Sequence, residues 1–258
     1  MDKNENCSYS FESMLSKLMK VDATSFIEKL KTFQSREELL KYQRYFKFAA
    51  ADQSADDHFI GVRMGQVFEL AKEFIDMPPH EIEKLLESPI HEARAGACSI
   101  MDKKARAKNT SESERKELFE LYMRRHDRVN NWDLVDLGCL HLIGSYLLDK
   151  PRDILYELAR SENQWERRTA IVGTAYLIRK GATEDTFKIA EILVNDKEDL
   201  VHKGTGWMLR FAGDKDREKL LGFLDEHAAT MPRTLLRYSI EKLDKAQRDH
   251  YLNLKRAL

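Results

Sequence analysis

Trp132 and Asp136 are four residues apart, so on a helix an indole and a carboxylate share one face, about a turn apart. An aromatic face attracts a cation, and a carboxylate stabilises positive charge as it develops. Arg168 follows Trp132 by 36 residues and Trp207 follows Arg168 by 39. Both intervals are close to one helix-pair repeat, so all four side chains would lie along one line of a stacked structure. Lys203, one turn before Trp207, is a further candidate for contact with an anion.

Helical periodicity runs through nearly the whole chain. The pattern predicts helices over roughly 8–20, 23–33, 36–50, 63–76, 79–88, 90–106, 112–126, 131–147, 152–160, 164–180, 183–194, 198–212, 215–226, 231–241 and 244–256. Ser35-Arg36-Glu37-Glu38 and Ser111-Glu112-Ser113-Glu114 are capping-box patterns, and Pro79 and Pro151 suit a first helical turn. Residues 51–62 read as a loop between an N-terminal helical group, 1–50, and the rest, 63–258, within a single domain spanning 1–258. From about residue 79 a short apolar helix repeatedly ends in a polar turn, and a second helix opens with charges and runs into small and aliphatic residues. Polar turns near Ser88, Ser161 and Asp196 are separated by 73 and 35 residues, two periods and one. The fold class expected is therefore all-α: an α-solenoid of antiparallel HEAT-like helix pairs, whose second helices line a concave groove. Trp132, Asp136, Arg168 and Trp207 all fall on second helices.

Each of these residues has an ordinary role to set beside the chemical one. Tryptophans on helices mostly pack, and Trp165, at a helix start, fits that role as a staple between repeats. Asp136 could be an N-terminal helix charge or half of a surface ion pair. Arg167 and Arg168 point about 100° apart, so one could pair with a carboxylate while the other faces the groove. Gly204 and Gly206, just before Trp207, each cost a helix roughly 1 kcal/mol relative to alanine. They imply close approach by another backbone, either DNA or, more commonly, a neighbouring helix. The runs 103–108 and 124–128 are basic, as solvated helix ends or as phosphate contacts.

Composition narrows the classes further. The net charge of −1 argues against indiscriminate polyanion binding. It hides an asymmetry, with 13 Lys and Arg against 17 Asp and Glu in residues 1–100, and 30 against 27 in residues 101–258. Such a bias is compatible with a basic groove in the C-terminal two-thirds. Three widely spaced cysteines fit reduced thiols of a cytoplasmic protein. No apolar run is long enough to span a membrane. None of the eight histidines forms a metal-ligand pair, so neither a metal nor a cofactor is expected. The glycine and serine motifs of nucleotide hydrolysis and of serine acyl transfer are absent.

The combination Trp132-xxx-Asp136, Trp165-Glu166-Arg167-Arg168, Lys203-Gly204-Thr205-Gly206-Trp207-Met208-Leu209-Arg210 and 231–242, with Phe59-Ile60-Gly61-Val62-Arg63 earlier, resembles the DNA alkylation repair family, the AlkD-type DNA glycosylases. The resemblance covers about residues 25–257. It implies HEAT-like repeats forming a DNA-binding groove. It also implies a metal-independent, monofunctional, monomeric enzyme that hydrolyses the N-glycosidic bond of cationic N3-alkyladenine and N7-alkylguanine in duplex DNA, the first step of base excision repair. By the same resemblance Trp132 and Trp207 contact the nucleotide carrying the lesion, Asp136 is the catalytic carboxylate, and Arg168 holds a nearby phosphate, with no ordinary base flipping. The alternative is a non-catalytic HEAT-like module that binds DNA or a protein.

Overall fold

The computed structural model describes residues 20–45 and 58–254. The helix expected at 8–20 and most of the loop expected at 51–62 lie outside the described residues. Those described form an all-α protein, with no strand beyond an isolated bridge between His58 and Ile90. None of their helices is long and apolar enough to cross a membrane. The chain divides into two compact units, 1–100 and 101–258.

The first unit holds α1 (Ala23–Lys31), α2 (Arg36–Tyr45), α3 (Met64–Glu73), α4 (Pro79–Glu87) and the start of α5 (His91–Arg106). Its core includes Phe26, Leu30, Leu70, Phe74, Ile82 and Leu85, all almost wholly buried, with the Phe26 and Phe74 rings edge to face at 5.2 Å. The Phe59–Arg63 segment is tied down by a buried acid. Glu92 accepts hydrogen bonds from the backbone N–H groups of Ile60, Gly61 and Val62 at 2.8–3.2 Å. Buried charge is tolerated only when hydrogen-bonded in this way. Gly61 has φ +76°, where any Cβ would run into the Ser35 carbonyl, so glycine is required there. This element is structural.

The second unit continues with α6 (Glu112–Arg124), α7 (Trp132–Gly138), a π-helical turn (Cys139–Ser145), α8 (Asp153–Leu158), α9 (Gln164–Val172), α10 (Ala175–Arg179), α11 (Glu184–Leu193), α12 (Asp199–Gly213), α13 (Arg217–His227), α14 (Arg233–Ser239) and α15 (Lys245–Asn253). Ser111 and Glu114 close the capping box anticipated at α6. Within this unit α7, α9, α12 and α14 pack in a row, each against the next. Helices α8, α11 and α13 pack against this row, α8 on α9 and both α11 and α13 on α12. Leu134, Ile171, Leu209 and Leu235 are among the buried residues of the row.

Two helices expected to run straight are interrupted. The helix read over 131–147 passes from α to π at Cys139, and that read over 164–180 breaks at Gly173 and Thr174. The interruptions meet: a Cβ on Gly144 would lie 2.6 Å from the Gly173 carbonyl oxygen. Thr174 donates its hydroxyl hydrogen to the Ile171 carbonyl at 2.7 Å, the kind of side-chain bond that bends a helix. Backbone approach at this level is closer than two side-chain-bearing helices allow.

Candidate active site on the row α7, α9 and α12

Asn131 starts α7 as its N-cap, accepting from the Trp132 backbone N–H at 2.8 Å. That start sets the register which leaves Trp132, Asp133, Asp136 and Leu137 partly open while Leu134, Val135 and Gly138 are buried. Asn163 caps α9 in the same way through the Trp165 N–H at 2.9 Å. On α12 the accessible positions are Asp199, Lys203, Trp207 and Arg210, three to four residues apart, and the intervening side chains are mostly buried.

Three of these helices converge on one guanidinium. Arg168 of α9 is 5% exposed. Its Nε donates to Asp136 Oδ1 at 3.0 Å, and Nη2 donates to both Asp136 oxygens at 2.9 Å. Its Nη1 donates to the Leu200 carbonyl, on the first turn of α12. A fork engaging a carboxylate through two nitrogens fixes orientation as well as charge. Burial pushes the Asp136 carboxyl above its ordinary value of 3.8, while the Arg168 charge pulls it back down. The carboxylate is partly open, its side chain 22% exposed. Oδ2 accepts from one nitrogen and Oδ1 from two, so Oδ2 keeps more free lone-pair capacity.

The expectation that Arg168 holds a phosphate meets this geometry directly. All three of its nitrogens are engaged, Nε and Nη2 by Asp136 and Nη1 by the Leu200 carbonyl. Of Arg167 and Arg168, both pair with acids: Arg167 reaches Asp196 through Nε at 2.6 Å and Nη2 at 3.1 Å. Lys203 pairs along its own helix with Asp199 at 2.7 Å, an exposed bond weak enough to exchange for another anion. Trp207 is 36% exposed and Trp132 is half-buried. Trp165 is half-buried at the start of α9, in keeping with a staple.

Both glycines before Trp207 answer to neighbouring protein. A Cβ on Gly204 would lie 3.2 Å from Arg168 Nη1, so Gly204 makes room for the guanidinium. One on Gly206 would lie 2.5 Å from Tyr238 Cβ and 2.7 Å from the Leu235 carbonyl oxygen of α14.

His126 sits beneath the site and was hidden within the basic run 124–128. It is buried, not solvated, and its Nε2 is 2.8 Å from the Thr169 hydroxyl, beside Arg168. Burial holds its pKa below the ordinary histidine value, so the ring is neutral. No sequence motif distinguished it from its charged neighbours. Among the described residues no group of three or more His, Cys, Asp or Glu could hold a metal ion.

The helical fold that carries this site has a solved counterpart. A structure from Enterococcus faecalis, described as a predicted DNA alkylation repair enzyme, matches with a TM-score of 0.63 over 82% of this chain and 97% of that one; at 18% identity the likeness is one of fold. The chain belongs to the DNA alkylation repair enzyme family, whose model matches residues 26–243. No curated protein matched the sequence.

Proposed function

We propose that this protein is a DNA glycosylase that hydrolyses the N-glycosidic bond of cationic alkylpurines, N3-alkyladenine and N7-alkylguanine, in duplex DNA. In this reading the row α7, α9, α12 and α14 is the inner wall of a HEAT-like stack, and DNA lies along it. The observation that carries the reading is the Asp136 carboxylate, partly open and held by two Arg168 nitrogens, in a chain of this family.

A purine alkylated at N3 or N7 already carries a positive charge, so it departs neutral and needs no proton from the protein. As the bond breaks, positive charge moves onto the deoxyribose. Asp136, as the anion, stabilises that charge and accepts a hydrogen bond from the attacking water through Oδ2, which is electrostatic stabilisation by a preorganised group. Arg168 acts as a positioning residue: it keeps the buried carboxylate ionised and aimed. Trp132 and Trp207 contact the lesion nucleotide, each worth about 1–2 kcal/mol of cation–π attraction when desolvated. Lys203 exchanges Asp199 for a backbone phosphate. The chemistry asks for no metal and no cofactor, and the reaction is expected to persist in chelator.

The reading separates lesions by charge. Duplexes carrying N7-methylguanine should lose that base, while duplexes carrying neutral O6-methylguanine should stay intact. Release of both bases alike, or of neither, would remove the proposal. The second reading, a binding-only module, draws on the same ion pair: a carboxylate neutralised by an arginine is also a structural feature. It predicts duplex binding with no base release.

A further inference from the structure

We infer that Tyr238 and Arg237 form a second DNA contact beside Trp207, gripping the lesion-bearing strand two to three nucleotides away from the excised base. The inference rests on the glycosylase reading for the choice of strand, and on the packing of α14 against α12 for the place.

Trp207 and Tyr238 are 36% and 37% exposed, and they are the exposed large hydrophobic side chains among the described residues of 101–258. They stand on neighbouring helices whose open faces are held in register. Gly206 lets Tyr238 Cβ approach the α12 backbone. One turn on, Arg210, three residues beyond Trp207, pairs with Glu241, three beyond Tyr238. Just past the ends of the two helices, Asp214 pairs with Lys242 at 3.2 Å. The contacts run in the same order along both segments, so α12 and α14 lie parallel, and the Arg210–Glu241 pair, each member three residues beyond an exposed ring, aligns the Trp207 face with the Tyr238 face. A tyrosine that only filled the helix interface would be covered there, and a buried one would bond its hydroxyl. The Tyr238 hydroxyl makes no hydrogen bond to any described residue.

The charges sharpen the assignment. Lys203, Arg210 and Lys242 are each paired with an acid on this face. Arg237 is exposed and pairs with no described residue. An aromatic face next to an uncommitted guanidinium is the combination that holds a nucleotide without reading its sequence, the ring against base or sugar and the cation on the phosphate. Packed helices lie about 8–10 Å apart and nucleotides of a strand about 3.4 Å apart along the duplex axis. Neighbouring helices therefore address positions two to three nucleotides apart.

The test compares wild type with Tyr238→Ala, Tyr238→Phe and Arg237→Ala. It measures affinity for a fluorescein-labelled duplex across a range of salt, and single-turnover release of N7-methylguanine at saturating protein. Tyr238→Ala should bind about tenfold more weakly, and Tyr238→Phe within about twofold of wild type, since the ring remains. Arg237→Ala should flatten the salt dependence by about 0.9. Saturated release rates should be unchanged in all three. A neutral methylphosphonate two or three nucleotides from the lesion should erase the difference between wild type and Arg237→Ala. Affinity and salt slope equal to wild type in both alanine variants would overturn the inference, as would a loss in Tyr238→Phe equal to that in Tyr238→Ala. If wild type releases no base but binds duplex through Tyr238, the glycosylase reading falls and this contact stands. If wild type releases base and the variants bind normally, only this contact falls.

Discussion

At the scale of single residues the site turns on one buried ion pair with unequal members. Arg168 is almost wholly covered and Asp136 is partly open, so the arginine serves the carboxylate and the carboxylate faces outward. Removing the arginine leaves a buried negative charge without its partner, a change that costs about 3–5 kcal/mol where both members are buried and less here, where Asp136 touches water. Arg168→Ala should therefore lower the melting temperature and weaken excision more than binding; a variant that lost only DNA affinity would favour the phosphate role over the positioning one. In the proposed mechanism Asp136 works as the anion, and burial raises its pKa. The acid limb of the excision rate should accordingly lie above 3.8, the ordinary aspartate value, and be missing from any residual activity of Asp136→Asn. The sequence placed Trp132, Asp136, Arg168 and Trp207 on helices, and the structure has them on α7, α9 and α12, because period and spacing are readable from residue types. That Asp136 and Arg168 bind each other was not readable: a partner 32 residues away is chosen by packing, and Asp196 waits as near to Arg167 as Asp136 does to Arg168.

At the scale of elements, glycines set the distances between helices. Gly204 and Gly206 sit two residues apart on α12, yet one admits a side chain and the other a helix. Gly206→Ala forces a methyl against the backbone of α14 and should cost about 1–3 kcal/mol of stability, visible as a lower melting temperature. Gly204→Ala puts its methyl 3.2 Å from Arg168 Nη1 and at ordinary contact distance from Val172, with no backbone in the way, so it should leave melting closer to wild type while slowing excision through the displaced guanidinium. Equal effects on melting and on rate would contradict this division. The neutral His126 beneath α9 adds a pH dependence. Its folded pKa lies below the 6.5 of a free imidazole, so below that pH the unfolded chain binds a proton which the folded chain refuses. Stability should fall as pH drops through about 6.5, and His126→Gln should remove that component. The helix breaks at Cys139 and Gly173 mark the limit of pattern reading. Apolar periodicity continues through both segments, and the close approach of Gly144 to Gly173 and the Thr174 side-chain bond at the breaks are visible only in the structure.

At the scale of the whole molecule, the two compact units differ in the sign of their net charge. Residues 1–100 carry the acidic excess and residues 101–258 the basic one, and the contact boundary falls at Ile100. The candidate site and the Tyr238 contact both lie in the basic unit. DNA binding should therefore weaken as salt rises, with a shallow slope because most cations on that face are already paired. Charge counting exposed the asymmetry; it could not show which of the cations are already held in ion pairs. The most direct test of the central claim is single-turnover release of N7-methylguanine from duplex DNA, in chelator, by wild type and Asp136→Asn at saturating protein. The account predicts a loss of about 10²–10³-fold in rate with affinity for the duplex nearly unchanged. Equal rates from the two proteins would contradict it.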